Sequence, residues 1–490
     1  MKLHEIIYRD EYLFSEASGE EEIHSLTTEL GDVESSSLLI IPNSKRPPDF
    51  SKMTKIPAAV LCDENCKLPS GISAIRADNP RAVMAYAYSR FFGIDYSKMK
   101  IIGITGTNGK TSTATFIKCI LSDAGFKVGF IGTGKIEING NLLSDNHYSM
   151  TTPDPSLLYK TLKRMENEEC DAVVMEISSH ALALEKVVPI SFDYGVFTNL
   201  SPEHTDFHEN MEEYFRAKCK LFSMCKTAVF NIDDDYARKA AAECKVRKIT
   251  VGAIWRGDIF ASGIENFGFS GISYIYHGKN FIFRMKLSLA GIYNVYNSML
   301  ATAVTTDMGI KPCNVKTSIG NINSIEGRFE IIKDDITVII DYAHTDTAFE
   351  SVMKNLHESK SSEQILTVIF GCGGERDRAK RPRMAKVAEQ YADRIIVTSD
   401  NSRGEEPMDI ISDIIHGFEK KSFEVTEVRE EAIRQAILSS PRDGIVAVIG
   451  KGSEKYNIDK EGYHEFDEKK IIENALFDRK NRQKAYENKA

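Results

Sequence analysis

Long apolar runs, a basic charge excess and a paired set of cysteines are all missing from this chain of 490 residues. No stretch reaches the roughly 18 apolar residues that a membrane helix needs. The first residues, Met-Lys-Leu-His-Glu-Ile-Ile-Tyr-Arg-Asp-Glu, become charged too early for a signal peptide. With 62 basic and 71 acidic residues the net charge is −9, which disfavours nonspecific nucleic-acid binding. We therefore expect a cytoplasmic protein with no membrane and no nucleic-acid partner.

The nine cysteines are an odd number and lie scattered along the chain. Cys62 and Cys66 have the spacing of half a metal site, but no second pair completes it, so reduced thiols are expected rather than zinc. The length predicts two to four domains, and a content of 42% hydrophobic and 27% charged residues is typical of a globular protein. A monomer is the default expectation.

Among the features that are present, a glycine-rich segment is the most informative. Residues 103–111 read Gly-Ile-Thr-Gly-Thr-Asn-Gly-Lys-Thr, directly after Ile101 and Ile102 and directly before a helix-like run. In such a turn, backbone N–H groups approach phosphate oxygens, while a lysine and a threonine hydroxyl reach the phosphates and their Mg²⁺. Ile104 stands where the usual spacing has its first glycine. The alternative is a glycine turn that merely ends a strand, but the Gly-Lys-Thr ending favours a nucleoside triphosphate site.

Short apolar runs alternate with helix-like stretches over most of the chain, and this predicts parallel sheets with right-handed crossovers. Residues 1–97 form a small α/β unit with strands at Leu38–Ile41 and Ala58–Leu61. The next predicted strands are Ile101–Ile104, Val128–Ile131, Ala172–Met175, Tyr194–Phe197 and Ala228–Phe230, with helices at Thr113–Ala124 and Pro155–Glu168. From residue 327 the predicted strands are Val338–Ile340, Leu366–Phe370, Arg394–Val397 and Ile445–Ile449, with a helix at Arg383–Tyr391. Ligands of such sheets gather at the carboxyl ends of the strands.

Polar residues follow two of the predicted strands. Glu176 ends the apolar run 171–175, beside the phosphate loop, where a carboxylate can bind Mg²⁺. The segment Thr198–His208 contains Asn, Glu, two His and Asp, a density that suits metal or phosphate chemistry. A solvated carboxylate and a polar surface loop are the alternatives. Lys218 by itself would be interpreted as a surface residue.

Together these residues resemble the Mur ligase family, which builds the peptide stem of bacterial peptidoglycan. Within that family the chain is similar to the MurE type, which adds a diamino acid to a UDP-muramoyl dipeptide. The matching motifs occur in the same order between about residues 101 and 456. They are Gly106-Thr-Asn-Gly-Lys-Thr111, Thr151-Thr-Pro153, Glu176-Ile-Ser-Ser-His-Ala-Leu182, Thr198-Asn-Leu200, Ala217-Lys218, Asn294-Val-Tyr-Asn297, Gly327-Arg-Phe-Glu330, Asp341-Tyr-Ala-His-Thr345, Phe370-Gly-Cys-Gly-Gly-Glu-Arg-Asp377, Asp400-Asn-Ser-Arg403 and Gly450-Lys-Gly-Ser-Glu454.

The resemblance implies an α/β protein of three domains. Residues 1–97 would bind the UDP-sugar, a central P-loop ATPase-like domain with a parallel sheet (98–326) would bind ATP, and a Rossmann-like domain (327–490) would bind the amino acid. The residues implied to contact ATP are Gly106, Thr107, Asn108, Gly109, Lys110, Thr111, Ser112, Asn297, Arg328 and Asp341. Those implied for the UDP-muramoyl dipeptide are Thr151, Thr152, Ser178 and Lys186, and those for the amino acid are Asp400, Asn401, Arg403, Gly450 and Glu454.

The resemblance also implies two Mg²⁺ ions, held by Thr111, Glu176, His204 and Lys218. Lys218 matches a family lysine that CO₂ converts into a carbamate, and an unmodified ammonium there would repel Mg²⁺. The catalytic residues implied are Lys110, Lys218, His204 and Arg328. Arg328 is suited to neutralise the negative charge of a phosphoryl group during its transfer, and a surface salt bridge is its alternative role.

The implied chemistry has two steps. A glutamyl carboxylate of UDP-N-acetylmuramoyl-L-alanyl-D-glutamate attacks the γ-phosphate of ATP and gives an acyl phosphate and ADP. The amine of the diamino acid then attacks the carbonyl carbon and releases phosphate. Domain closure would exclude the water that hydrolyses the acyl phosphate.

The choice of diamino acid depends on a motif that this chain carries in altered form. MurE-type enzymes that select meso-diaminopimelate have Asp-Asn-Pro-Arg, and here Ser402 replaces the proline while Arg403 is kept. A guanidinium suits a distal carboxylate and repels the side-chain ammonium of L-lysine, which favours meso-diaminopimelate or meso-lanthionine. Other departures from the family pattern are Thr27, Thr28, Leu184, Lys186, Glu203 and Asp346. The sequence thus supports the ATP site better than the UDP-sugar site. It leaves open the alternative that the protein is a Mur-ligase paralogue that acts on another carboxylate substrate.

Two further classes of protein are alternatives. A phosphate-loop switch that binds guanine nucleotides should carry Asn-Lys-x-Asp, which this sequence lacks. A motor protein would not explain the residues that surround Lys218 and Arg403. A noncatalytic relative of the ligases would not need to keep the four polar residues Lys110, Glu176, His204 and Lys218. An amide ligase is therefore the favoured hypothesis.

Overall fold

Four β-sheets follow one another along the chain. The computed structural model describes residues 1–42, 48–143, 150–203, 207–420 and 422–487. Within them the sheets have five, eleven, six and two strands. None of the helices in these ranges combines the length and the apolar character that crossing a bilayer requires.

The first sheet contains the short strands expected near the N-terminus. Its strands are β1 (Phe14–Ser15), β2 (Ser25–Thr27), β3 (Ser37–Ile40), β4 (Ala59–Cys62) and β5 (Ala74–Arg76), in the order β1-β5-β4-β3-β2. Its helices are α1 (Leu3–Ile6) and α2 (Pro80–Phe92). β1 is antiparallel to β5, whereas β5, β4, β3 and β2 run parallel. Every residue of β3 and β4 is buried, as is typical of parallel strands covered on both faces.

The second sheet is the largest and carries the phosphate loop. Its strands are β6 (Lys100–Thr105), β7 (Val128–Gly132), β8 (Lys135–Ile138), β9 (Asn141–Leu142), β10 (Ala172–Glu176), β11 (Phe192–Phe197), β12 (Cys225–Asn231), β13 (Arg247–Gly252), β14 (Ile259–Asn266), β15 (Ile272–His277) and β16 (Ile282–Leu287). Its helices are α3 (Lys110–Asp123), α4 (Pro155–Asn167), α5 (Ser179–Ala183), α6 (Met211–Ser223), α7 (Asp235–Glu243), α8 (Tyr293–Asp307) and α9 (Pro312–Asn321). The strand order is β16-β15-β14-β13-β12-β11-β6-β10-β7-β8-β9, and the stretch from β14 to β7 is parallel.

Strand β6 lies in the middle of this sheet and is buried on both faces. Ile102 and Ile104 belong to an apolar cluster with residues of α3 and α8. Ile101 points to the other face, since side chains alternate along a strand, and joins a cluster with α4, α6 and the first sheet. The loop that follows β6 is therefore held by a rigid strand.

The third sheet repeats the βα pattern. Its strands are β17 (Glu330–Lys333), β18 (Thr337–Asp341), β19 (Leu366–Phe370), β20 (Arg394–Val397), β21 (Glu424–Val425) and β22 (Ile445–Ile449), in the order β17-β18-β22-β19-β20-β21. Apart from β17, these strands are parallel. Helices α10 (Asp346–Ser359), α11 (Lys380–Tyr391) and α12 (Pro407–Ile415) cover one face, and α13 (Arg429–Ser439) and α14 (Glu468–Glu487) cover the other. The fourth sheet is the hairpin β23 (Tyr456–Asp459) and β24 (Gly462–Glu465), and short 3₁₀ helices lie at Arg9–Glu11, Leu30–Asp32, Phe50–Lys52, Tyr96–Lys98 and Gly268–Ser270.

All of the strands expected from apolar runs are present, whereas two helices begin earlier than expected. The helix expected from Thr113 begins at Lys110, because Gly109, with φ +85°, ends the loop immediately before it. The helix expected from Arg383 begins at Lys380, since Pro382 is tolerated in a first turn. The antiparallel strands β15 and β16 were not anticipated from the sequence.

Candidate active site

The phosphate loop lies where the order of the second sheet reverses. From β6 the chain passes to β7, returns to β10 beside β6, and then continues to β11 on the opposite side of β6. The carboxyl ends of β6, β10 and β11 therefore form a crevice, which is where open α/β sheets bind ligands. The loop 106–109 at the end of β6 opens into α3, whose first residue is Lys110.

Polar side chains that follow β11 hold the backbone of the loop. The Asn199 side chain accepts a hydrogen bond from the Asn108 N–H (2.9 Å) and donates one to the Asn108 carbonyl (3.0 Å). The Thr198 hydroxyl donates to the same carbonyl (2.6 Å), and the Thr107 N–H donates to the Asn199 carbonyl (2.9 Å). The loop is thus fixed in shape before any phosphate binds.

Gly106 cannot carry a side chain in this setting, and we expect Gly106→Ala to abolish nucleotide binding. Its φ is +144°, and a Cβ there would overlap the Thr198 hydroxyl. Overpacking and backbone strain each cost about 1–3 kcal/mol. Thermal unfolding with and without ATP measures the effect. Gly125→Ala is the matched control, because Gly125 also has a positive φ (+92°) but nothing within 4 Å of its Cβ position. Equal loss of ATP-dependent stabilisation in both variants would contradict the steric argument.

Two lysines, Lys218, which is buried, and Lys110, which is half-buried, point at one carbonyl of the loop. Lys110 Nζ donates to the carbonyls of Gly106 (2.9 Å) and Thr107 (2.8 Å), and Lys218 Nζ donates to the Gly106 carbonyl (2.9 Å). Lys218 projects from α6 and is 1% exposed, which corrects the interpretation of a surface lysine. Burial, and then the neighbouring Lys110, hold the pKa of Lys218 well below its usual value. Burial also lowers the pKa of Lys110, against the opposing effect of Glu203 and Glu176.

The predicted metal ligands lie beside these lysines as far as the structure describes them. Glu176 ends β10, is fully buried, and accepts hydrogen bonds from the Thr133 N–H (3.3 Å) and hydroxyl (3.1 Å). The Thr111 hydroxyl lies in the first turn of α3. His204 lies outside the described residues. No three His, Cys, Asp or Glu side chains converge into a metal cluster in the described ranges, so the predicted set would depend on a hydroxyl and a modified lysine as well.

Residues expected to contact the nucleotide converge on the loop from α8 and from the third sheet. Asn297 accepts from the Thr113 hydroxyl (3.3 Å) and lies against Gly109. Arg328 Nη2 donates to the Thr111 hydroxyl (3.0 Å), and the guanidinium lies over the Tyr342 ring at 4.2 Å. These contacts show Arg328 inside the cleft rather than in a surface salt bridge.

Asp341 fixes the segment that carries Arg328. Its carboxylate accepts from the N–H groups of Phe329 (2.6 Å) and Ala343 (2.7 Å). Burial raises the pKa of Asp341, while Arg328 opposes that shift. Asp341 therefore contributes to the shape of the site as well as to its charge.

The residues expected to bind the dipeptide include Thr152 and Ser178, which lie directly beside Glu176. The Thr152 hydroxyl donates to the Glu176 carbonyl (2.9 Å) and accepts from the Ser178 N–H (2.9 Å). The Thr151 and Thr133 hydroxyls lie 3.1 Å apart. Lys186 is 6% exposed, and its Nζ pairs with Asp154 at 2.6 Å. These groups form a polar wall beside the phosphate loop.

The residues expected to bind the amino acid form a second polar group, at the carboxyl ends of β20 and β22. Asn401 Nδ2 donates to Glu454 Oε2 (2.9 Å), and Arg403 Nη1 donates to the carbonyls of Gly374 (2.9 Å) and Asn401 (3.2 Å). Gly450 has φ +128°, and a Cβ there would come within 2.8 Å of an Asp400 carboxylate oxygen.

One cavity of about 850 Å³ joins these groups. Apart from Gly106, every predicted site residue in the described ranges lines it. Its walls come from the second and third sheets, so the phosphate loop and Arg403 face a common space. Residues almost 300 positions apart in the sequence are thus brought to one site.

Contacts across the cleft were not anticipated from the sequence. His344 Nε2 lies 2.9 Å from Glu203 Oε1, and the Ser201 and Thr347 hydroxyls lie 3.1 Å apart. On the side of the third sheet, Lys380 donates to the His344 carbonyl (2.7 Å). Glu203 and His344 each follow a strand end, which was the available signal, but the sequence could not show that the two ends face each other.

The loop that carries Arg403 depends on Glu405, which predicts an acid-sensitive contribution to stability. Glu405 bonds to Arg381 (2.9 Å), Arg378 (2.8 Å) and the Glu375 N–H (2.6 Å), and its bonds to Arg381 above all lower its pKa from 4.5 to about 2. A depressed carboxyl pKa stabilises the folded state above the unfolded value and loses this effect as pH falls through the folded value. Relative to Glu405→Gln, we expect the wild type to be more stable by about 2–3 kcal/mol above pH 5. Urea midpoints should show this gap closing between about pH 4.5 and pH 2, and a gap independent of pH would contradict the assignment.

Comparison with known proteins places this arrangement in a family. The Mur ligase middle domain matches residues 104–305, and the Mur ligase glutamate ligase domain matches residues 327–452. A protein of Caldanaerobacter subterraneus subsp. tengcongensis named UDP-N-acetylmuramoyl-L-alanyl-D-glutamate–2,6-diaminopimelate ligase is 39% identical over 423 residues, covering 85% of this chain and 86% of the relative. A protein of the same name from Clostridioides difficile is 37% identical over 427 residues, covering 86% and 87%.

Solved structures give the same result. A UDP-N-acetylmuramoyl-L-alanyl-D-glutamate–2,6-diaminopimelate ligase superposes with a TM-score of 0.66 at 25% identity, covering 97% of this chain and 98% of that one. Mycobacterium tuberculosis folylpolyglutamate synthase shares the fold at 16% identity, with a TM-score of 0.64 over 76% and 92% of the two chains. The resemblance inferred from the motifs is therefore confirmed, and the chain belongs to the Mur ligase family of ATP-dependent amide-bond ligases.

Proposed function

We propose that this protein joins a diamino acid, with meso-diaminopimelate favoured, to UDP-N-acetylmuramoyl-L-alanyl-D-glutamate through an acyl phosphate. The observation that carries the proposal is one cavity that contains a phosphate loop with Lys110 and the buried Lys218 at one end and Arg403 with Glu454 at the other. Relatives at 34–39% identity that bear this enzyme's name support it. The product would be a precursor of peptidoglycan.

The three blocks of the chain provide a place for each substrate. We propose that residues 1–97 bind the UDP-sugar, residues 98–326 bind ATP, and residues 327–490 bind the amino acid. The loop amides of 106–109 and Lys110 would hold the phosphates, with Ser112 in the same helix turn and Asn297 and Asp341 beside the nucleotide. A cytoplasmic monomer remains our expectation, and light scattering of the purified protein tests its oligomeric state.

The oxygen-rich side chains at the loop fit Mg²⁺, which prefers oxygen ligands. Thr111, Glu176 and, from the resemblance, His204 and carbamylated Lys218 would hold two such ions, which when bound offset the negative charge of the phosphates. Thr111 and the buried Glu176 both line the cavity at the loop, whose Gly106 carbonyl is covered by two lysines. This set of donors is suited to a hard cation.

In the first step the dipeptide carboxylate would attack the γ-phosphorus of ATP. The new O–P bond forms as the bond to the β-phosphate oxygen breaks, so ADP leaves and an acyl phosphate results. Lys110 would leave the Gly106 and Thr107 carbonyls to contact the phosphates, and Arg328, held 3.0 Å from the Thr111 hydroxyl, would offset charge on the phosphoryl group. Lys186 would bind the carboxylate-bearing substrate as a point charge.

In the second step the amine of the diamino acid would attack the acyl carbon. The C–N bond forms, the C–O bond to phosphate breaks, and the amine proton is lost. Arg403 would bind the distal carboxylate of the acceptor, and Glu454 its distal ammonium. Because Arg403 repels a lone side-chain ammonium, meso-diaminopimelate or meso-lanthionine is favoured over L-lysine.

Lys218 is proposed to act as a carbamate. Its depressed pKa increases the fraction of neutral amine, which adds to CO₂ with loss of a proton and becomes an anion. The change replaces a cation beside Lys110 by a group that can bind metal. An anion at this place would also relieve the repulsion between the two lysines.

One assay tests the function. Purified protein is given ATP, the UDP-muramoyl dipeptide and each diamino acid in turn, and ADP release is measured. We expect release that depends on both substrates, and hydroxylamine should trap the acyl phosphate as a hydroxamate without any amino acid. Nucleotide turnover that is indifferent to both substrates would indicate a switch or motor, and no turnover under any condition would indicate a noncatalytic relative.

A further inference from the structure

A fully buried lysine lies behind the proposed amino-acid site. Lys451 follows β22 and has no exposed surface. Its Nζ donates to Asn401 Oδ1 (2.9 Å) and lies 3.7 Å from Asp400 Oδ1 and 3.5 Å from Glu454 Oε2. A charge so deeply buried costs free energy unless its surroundings compensate it, so its place among these three residues needs a reason.

The first consequence of this position is geometric. Asn401 Oδ1 accepts from both Lys451 Nζ and the Ile458 N–H (3.0 Å), so the amide can present only Nδ2 to Glu454. The orientation of the Asn401 amide, and through it that of the Glu454 carboxylate, is thus set by the lysine. Tyr342 OH, which donates to Glu454 Oε1 (3.2 Å), fixes the other oxygen.

The second consequence is electrostatic. Two carboxylates, of Asp400 and Glu454, face the cavity together with the guanidinium of Arg403. Together with the Lys451 ammonium, these side chains carry two negative and two positive formal charges, which sum to zero. Behind them the Arg429 and Glu468 side chains, both 1% exposed, form a pair of their own at 2.8 Å. A group of four side chains whose charges sum to zero complements a ligand group that carries one positive and one negative charge.

We propose that Lys451 is a positioning and specificity-determining residue for the acceptor. Its buried ammonium orients Asn401 and Glu454 and balances their charge, so that the pocket accepts a zwitterionic amino-acid end and rejects a lone ammonium. The inference rests on the proposed function and adds to it a residue that need not touch the substrate. Without Lys451 the pocket would carry a net negative charge, which suits L-lysine better than meso-diaminopimelate.

The variant Lys451→Met removes the charge and keeps most of the volume. We expect KM for meso-diaminopimelate to rise at least about 30-fold, the lower end for loss of one partner of a buried charge pair. The ratio of kcat/KM for meso-diaminopimelate to that for L-lysine should fall at least about tenfold. KM for ATP and hydroxamate formation from ATP and dipeptide should stay within about twofold, because neither involves the acceptor. If Lys451 only stabilised the fold, its replacement would change the constants for the acceptor, KM for ATP and hydroxamate formation together.

Two further variants complete the test. Lys455→Met removes a neighbouring exposed lysine that pairs with Asp467 at 3.7 Å, and it should leave all constants unchanged. Lys451→Arg keeps the charge and should keep the preference for meso-diaminopimelate within about threefold, because that preference depends on the balance of charge; it carries the test if Lys451→Met does not fold. An unchanged KM and preference in Lys451→Met, or a tenfold loss of preference in Lys451→Arg, would overturn the inference. A wild type that is inactive with the dipeptide and meso-diaminopimelate would instead overturn the proposed function.

Discussion

Replacing Lys218 by alanine is expected to lower kcat about a hundredfold to a thousandfold, the range for loss of one charge-stabilising group. The variant leaves the Gly106 carbonyl without one of its two lysine donors and removes the proposed carbamate. Added formate or acetate should restore part of the activity, because a small carboxylate can occupy the space and supply the missing anion. Initial rates of ADP release against carboxylate concentration measure this recovery.

Lys110→Ala is the matched control for that rescue. Lys110 is half-buried and also bonds to the Gly106 carbonyl, but its proposed role requires a cation. Its loss should therefore be as large, and carboxylates should not relieve it. If Lys218→Ala retains full activity, or if carboxylates rescue both variants equally, the carbamate role is wrong.

Replacing Arg403 by alanine is expected to lower kcat/KM for meso-diaminopimelate about a hundredfold, within the range for a desolvated charged contact. The guanidinium plane is set by bonds from Nη1 to the carbonyls of Gly374 and Asn401, and by a backbone held with φ +51° at residue 403. A distal carboxylate would lose its partner in the variant, while the acyl phosphate would still form. Steady-state kinetics together with hydroxamate trapping separate the two steps.

The control for Arg403 is Arg434→Ala, which removes a guanidinium of the same block that pairs with Asp478 at 2.6 Å on α14. It should leave KM for meso-diaminopimelate unchanged. Arg403→Lys should fall between wild type and alanine, because a point charge cannot form the paired bonds of a guanidinium. A normal KM in Arg403→Ala would show that another residue selects the acceptor.

The most deeply buried parallel strands of all three blocks could be predicted because parallel strands buried on both faces are continuous apolar runs. The run Ala172–Met175 ends in Glu176, and the polarity change alone placed that carboxylate at the strand's end. The antiparallel strands β15 and β16 escaped prediction, since polar residues such as Ser273 interrupt the apolar residues of β15, and β16 alternates exposed with buried positions. Their pairing with β14 depends on long-range contacts.

Lys218 shows where sequence reasoning reached its limit. In the sequence it lies among charged residues of a helix, and only the resemblance gave it a role. In the fold α6 packs against β6 and β12 and directs the lysine into the crevice, where desolvation changes its pKa. Whether it carries a carbamate stays a prediction.

The sequence by itself determined the phosphate loop, the alternation of strands and helices, and the family, because each depends on local residue order. Only the tertiary structure decided that Arg328 reaches Thr111, that His344 meets Glu203, and that Lys451 lies behind Asn401 and Glu454. Those contacts join residues far apart in the chain, and burial then changes what their charges do. Local patterns carry no information on which strand ends will face each other across a cleft.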